Sequence, residues 1–364
     1  MKCEGLLMSE AREISPLLDW ARFLAAGLVV ANHLRVNSFF SFSETECSSA
    51  TAKLLFFQIT RLGIEAVLMF FVLSGFLVGG MAVKRAMIET FDLRNYGIDR
   101  ITRIYVPLLP LLILTVANSI WLGFSFSWFE VFANAASLQG VIASPFSGNT
   151  ALWSLSYEVW FYILCGATLA MVQLKNLKTK AIALALVLTS MLVFSKLELV
   201  YLFSWLIGLA AFFLPVKSAK KVSALGLILA LSGVISMQLT SVSQQIDLSA
   251  VRVLDRRVAV LMLSAGLGLI VKVCAGKRQK VNSMRCWESV GRFLASFSYT
   301  LYLSHNPLMS AMMGVGLLNK HQKLDEYTFG LYLTHFFLLC CVSYVLYLLF
   351  ESQTIKVRAY LESR

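Results

Sequence analysis

Between Ile104 and Leu174 the chain has no lysine or arginine, and most of that stretch is apolar. Long uncharged apolar runs recur along the whole length, and 58% of the residues are hydrophobic. A run of about 20 apolar residues crosses a bilayer as a helix, because a helix satisfies its own backbone groups where water is absent. A soluble domain of 364 residues with a mean hydropathy of +0.73 would be exceptional. A membrane β-barrel alternates apolar and polar residues, whereas these runs are continuous, so a barrel is excluded. The chain reads as all-α and polytopic, with about ten transmembrane helices.

The spans are placed at about 17–36, 65–83, 101–123, 151–173, 180–196, 198–215, 222–240, 257–275, 293–313 and 329–350. The fifth and sixth share only the break Ser195-Lys-Leu-Glu198. Residues 1–16 form a polar N-terminal segment, 17–350 one membrane domain and 351–364 a tail. The first apolar stretch is long enough to span, so no cleavable signal is expected.

The formal net charge is +12. Its distribution argues against nucleic acid, since the basic residues sit in short loops between spans. A cytoplasmic N-terminus puts Lys84, Arg85, Arg94, Arg100 and Arg103 inside, with Lys175, Lys178, Lys180, Lys217, Lys220 and Lys221. It does the same for Lys272, Lys277, Arg278, Lys280, Arg285, Arg292, Lys356 and Arg358, so both termini are cytoplasmic. Arg252, Arg256 and Arg257 are the exceptions, falling outside. The outer loop at 124–150 carries Phe124, Phe126, Trp128, Phe129 and Phe132, residues that favour the membrane interface. The seven cysteines have no metal-ligand or redox spacing, and no structural disulfide is expected.

Polar residues inside the spans are the candidates for chemistry, because each is costly in a membrane without a partner or a cavity. Arg22 and His33 are eleven residues apart in the first span. At about 100° per residue they return to within about 20° of each other, roughly 16 Å apart along the axis. His33 titrates near operating pH and can take a proton from a hydroxyl; the bland alternative is a helix-to-helix hydrogen bond. Arg22 has Asp19 one turn earlier, which also suits an interfacial snorkelling pair. Arg100 and Arg103 share a face at the start of the third span and can clamp phosphate, or simply flank the span. Glu158 lies inside the fourth span, placed at a depth similar to His33, among Trp153, Tyr157, Trp160 and Tyr162. Glu65 opens the second span, and Ser74-Gly75 within it suits close packing, with Ser74 a candidate nucleophile. His305 precedes Pro307, which breaks a helix and frees carbonyls to line a cavity.

Taken in order, these pieces resemble the bacterial acyltransferase-3 family. They are Arg22 with His33, Phe70-Phe-Val-Leu-Ser-Gly-Phe76, Arg100-Ile-Thr-Arg103 with Pro107, and Trp153-Ser-Leu-Ser-Tyr-Glu158 with Phe161-Tyr162. Ser298-Tyr299, Tyr302-Leu303, His305 and Pro307 complete the set. Phe350-Glu351 resembles the closing acidic position, with Gln353 and Thr354 where a proline is common, and Asn32 replaces a frequent glycine.

The resemblance implies a stand-alone membrane O-acyltransferase of the bacterial cytoplasmic membrane. It moves an acyl group, acetyl by default, from acyl-CoA to a hydroxyl of a surface or exported glycan. O-antigen, capsule, peptidoglycan-linked glycan and small metabolites all stay open as acceptors, with a polymer or lipid-linked sugar favoured. His33 and Glu158 are then catalytic. Arg22, Arg100, Arg103 and Ser74 serve the donor, and Trp153, Tyr157, Glu65, His305 and Tyr302 the acceptor. Direct transfer and an acyl-enzyme on His33 or Ser74 both stay open. A transporter or flippase is the rival reading, since buried polar groups and broken helices suit transport too. Oligomeric state is not legible. With no metal-ligand set in the sequence, chelation should leave transfer unchanged; loss of activity in EDTA that added metal restores would overturn this expectation.

Overall fold

The computed structural model describes residues 15–243, 254–276 and 285–364. The first fourteen residues of the N-terminal segment, and Arg252, Lys277, Arg278 and Lys280, lie outside them. All regular structure among the described residues is helical, with only isolated bridges between extended pieces. The helices are α1 (Pro16–Ser38), α2 (Ala50–Thr60), α3 (Gly63–Ser74), α4 (Gly80–Met87), α5 (Leu93–Trp121), α6 (Trp128–Ala135), α7 (Trp153–Gln173) and α8 (Leu177–Lys196). They continue with α9 (Leu199–Phe213), α10 (Ala219–Ser243), α11 (Arg256–Gly276), α12 (Arg285–Ser296), α13 (Ser298–Gly314), α14 (Glu326–Leu349) and α15 (Thr354–Glu362).

Seven helical stretches among the described residues are long and apolar enough to cross a membrane. They are fewer than the ten spans read from the sequence. Helices α9 and α13 fall short on length, with 15 and 17 residues. Helix α1 has the length but carries Asp19, Arg22, Asn32 and His33. The second span also starts earlier than expected: helix runs from Ala50 to Met87, opened by the Ser49 side chain accepting from Ala52 N at 3.3 Å. A π-helical turn over Gly75–Gly79 lies within it. The aromatic loop contains α6, whose Trp128, Phe129 and Phe132 are exposed.

The chain divides into two compact units. The first takes α1 up to Ala25, Leu68–Met81 and the described parts of Val200–Ser296. Its helices meet through small residues. A Cβ on Gly75 would collide with the carbonyl oxygen of Trp205, and one on Gly208 with that of Val72. Helices α10 and α11 touch in the same way, Gly266 against Ala230 and Gly226. Such contacts let backbones approach where apolar burial alone gives no preference for one neighbour over another. Cations here find oxygen partners: Lys272 Nζ donates to Phe212 O at 2.5 Å, and Arg256 donates to the Tyr201 hydroxyl at 3.0 Å.

The second unit takes Ala26–Val67, Ala82–Leu199 and Phe297–Arg364. Its centre is α13, buried at every residue from Thr300 to Pro307. Pro307 has no N–H, so the carbonyl of Leu303 loses its helical donor. Asn149 Nδ2 donates to that carbonyl at 2.7 Å, and Asn118 Nδ2 to Pro307 O at 2.8 Å. Ser304 and Ser343 join α13 to α14 at 2.8 Å. At one end, the segment after α1 pairs with the segment before α14 through His321 N to Ser38 O and Glu46 N to Gln322 O. At the other, α15 binds α5: Arg358 pairs with Asp99 at 2.5 Å and Arg94 donates to Leu361 O at 3.0 Å.

Replacing Gly208 by alanine should lower stability by about 1–3 kcal/mol, since the obstacle is backbone. Gly330→Ala, which meets nothing within 4 Å, should not. Thermal unfolding of the two variants in detergent measures the difference.

Candidate active site

The candidate residues of the second unit form a polar column along α13. Residues three and four apart share a helix face, so Tyr299, Tyr302, His305 and Asn306 point broadly one way. At the start of α13, Glu351 accepts from Thr300 N at 3.1 Å and from Thr300 Oγ1 at 2.5 Å. The Tyr299 hydroxyl is buried without a hydrogen-bond partner, and the charges that reach it include Glu158, Glu351 and Arg103. One turn on, the Tyr302 hydroxyl lies 2.6 Å from Ser154 Oγ and donates to Ala151 O at 2.9 Å.

The column ends at two imidazoles. His33 and His305 meet edge to face, ring centroids 5.1 Å apart and planes at 64°. Tyr302 lies on the other side of His305, at 5.9 Å. His305 is fully buried, while His33 is half-buried and is the one a substrate can reach. His305 Nδ1 is 3.3 Å from Leu301 O. A carbonyl only accepts, so Nδ1 holds the proton and Nε2 is left as the lone-pair nitrogen. That Nε2 is buried with no partner. The more accessible imidazole, His33, is thus the one placed to take a proton from a hydroxyl.

The other expected residues distribute unevenly. Glu158 accepts from the Tyr162 hydroxyl at 2.5 Å, and its charge reaches Tyr299 and Tyr302 on α13. The two arginines differ. Arg100 is part-buried, paired with Asp99 and placed over the Tyr162 ring at 5.3 Å, whereas Arg103 is exposed. A common helix face therefore does not give them a common environment. Trp153 stacks edge-on with Tyr157 at 5.8 Å. The Tyr157 hydroxyl accepts from Glu198 N at 3.0 Å, binding α7 to the turn that follows α8. Glu65 is buried near the start of α3, where Gly63 abuts Asn32. Arg22 and Ser74 belong to the first unit: Arg22 lies 3.7 Å from Asp19, and Ser74 Oγ accepts from Trp205 Nε1 at 3.2 Å. Helix α1 is unbroken, so the interval from Arg22 to His33 is helical throughout.

Sequence reasoning passed over three residues that the structure makes prominent. Asp99 holds Arg100, Asn149 holds the freed carbonyl, and Arg35 stands beside the imidazole end. Only Asn149 had a sequence signal, as the polar residue just before the fourth span.

A family model described as an acyltransferase domain matches residues 16–351. The chain belongs to the acyltransferase-3 family. It is accordingly a membrane acyltransferase, and the matched segment carries both units. Comparison with curated proteins and with solved structures gives no match.

Within this acyltransferase, the two tyrosine hydroxyls should separate by role. Tyr302→Phe removes a hydroxyl from the column and strands Ser154, which costs about 1–3 kcal/mol, and it should depress acyl transfer. Tyr157→Phe should lower stability only, because its hydroxyl faces Glu198. Melting temperature and transfer rate, measured together, check the pair.

Proposed function

We propose that this protein transfers an acyl group, acetyl by default, from acyl-CoA to a hydroxyl of a surface or exported glycan at the bacterial cytoplasmic membrane. The observation that carries the reading is the His33–His305 pair at one end of a polar column whose other end holds Arg100 and Arg103. The alternation of charged loops puts the arginine end in the cytoplasm, where acyl-CoA is made, and the imidazole end outside. Coenzyme A phosphates are held by the exposed Arg103, with Arg100 joining as its pairing to Asp99 is exchanged. The pantetheine arm then follows the column past Tyr299 and Tyr302.

His33 takes the proton of the acceptor hydroxyl as its oxygen forms a bond to the thioester carbonyl carbon. The tetrahedral intermediate collapses, the carbon–sulfur bond breaks, and the thiolate takes the proton back to leave as free coenzyme A. His305 stands behind His33 and steadies the imidazole while it is charged. Glu158 and Tyr162 act one level below, on the donor's path. Arg22 and Ser74 keep only the donor-side role that the resemblance implies.

His33→Ala should reduce labelled acetyl transfer from acetyl-CoA to surface glycan by about 10²–10⁴-fold in membranes with normal protein level. Retained transfer would remove His33 from the mechanism. Coenzyme A-independent movement of the glycan would instead favour a transporter.

A further inference from the structure

Helix α12 differs from the helices that cross a membrane. Its 12 residues make about 18 Å of helix, against the roughly 30 Å of hydrocarbon in a bilayer. It carries Arg285, Glu288 and Arg292 as well, so it does not span. At about 100° per residue, Cys286, Trp287, Val290, Phe293 and Leu294 fall within one arc of about 120°. The positions of Arg285, Glu288, Ser289, Arg292 and Ser296 fall in the opposite arc. A helix so divided usually buries its apolar side in the protein. Here Trp287, Val290 and Phe293 stay 46%, 40% and 49% exposed, and Cys286 is exposed beside them.

One edge of α12 is fixed within the first unit. The Trp287 ring stacks on Trp20 of α1, with centroids 4.2 Å apart and planes at 21°. Trp20 Nε1 donates to Trp287 O at 3.2 Å. Gly291 lies against the same indole, where a Cβ would come within 2.6 Å of Nε1. Trp20 stands near the start of α1, beside Asp19 and Arg22, which pair at 3.7 Å. Tryptophan and ion-paired arginine at the end of a span mark the boundary between membrane and water. Helix α12 is therefore held at that boundary, in the connection from α11 to α13 that the charged loops put on the cytoplasmic side. At that depth an outward apolar face meets acyl chains, and the opposite face meets headgroups. Arg292 is exposed on the headgroup face, where the lipid phosphates lie.

We propose that α12 lies in the plane of the cytoplasmic leaflet as an interfacial anchor, with Val290 and Phe293 on acyl chains and Arg292 on the phosphate of anionic lipid. The anchor operates whatever the protein transfers, and from whichever donor.

The full-length protein, with a fluorescent amino acid in place of Phe293 or of Ser289, would be reconstituted into phosphatidylcholine vesicles. Chain-brominated lipid should quench the label at 293 several times more than the label at 289, because the apolar face of an interfacial helix sits about 5–10 Å into the boundary of headgroups and chains. Aqueous iodide should do the reverse. Brominated phosphatidylglycerol should quench the label at 293 about two- to fivefold more than brominated phosphatidylcholine at equal fraction. Arg292→Gln should remove that difference. Melting temperature confirms a folded protein, and a label at Val290 repeats the test where replacing Phe293 unfolds the chain. Iodide quenching of both labels alike would mean a helix standing in water. Weak quenching of the label at 293 by lipid and iodide alike would mean protein, such as a second copy, over that face. Either result would overturn the proposal. Equal quenching by the two lipids, or a preference that survives Arg292→Gln, would remove the anionic contact.

Discussion

Pro307 cannot donate to the carbonyl four residues before it, and in an interior without water that carbonyl must find another donor. Asn149 supplies one at 2.7 Å. Asn149 stands at the turn leading into α7, so this one hydrogen bond joins the buried helix to the helix bearing Ser154, Glu158 and Tyr162. Asn118 does the same for α5 through Pro307 O. The orientation of α13, and with it the direction in which Tyr302 and His305 point, follows from these two amides. A proline in the most buried helix looks like a defect in isolation. It is also the reason three helices must converge where the imidazoles lie.

Much of the architecture was legible in the sequence, because membranes make it so. Apolar length and continuity point to helices, and helices occupy every segment read as a span. The polar residues expected to matter were those whose burial needs a reason, and His33, His305, Tyr302 and Glu158, from three different helices, fall in one unit. Partnership was not legible. Arg100 and Arg103 look equivalent by spacing, yet Asp99 beside one of them makes the first a buried, paired charge. Tyr157 reads as an acceptor contact from the resemblance, yet its hydroxyl accepts from Glu198 N. Arg35 follows His33 by two residues and so projects from a different face of α1, where helical spacing does not point to it. The Phe57 ring beside its guanidinium comes from α2, and periodicity within one helix carries no information about another. The early start of the second helix was also missed: the expected span begins at 65, whereas helix already runs from Ala50.

Among the described residues, nine side-chain polar atoms of the second unit are buried and unpaired, and four of them belong to the column or its ends. Arg100 Nε, Tyr299 Oη, His305 Nε2 and Arg35 Nε are all buried and unpaired. Buried polar groups normally find partners, and exceptions cost stability. Here three of the four line the column and the fourth lies beside its imidazole end.

The carboxylate of Asp99 is shared between Arg100 on its own helix and Arg358 on α15. The last helix is therefore wired electrostatically to the arginine read as a donor contact, although it lies far along the chain and contributes no atom of its own to the column. A saturating mutational scan would accordingly group Arg358 with Asp99 and Arg100 rather than with its sequence neighbours. Second-site suppressors of damage at one of the three should be sought in the other two.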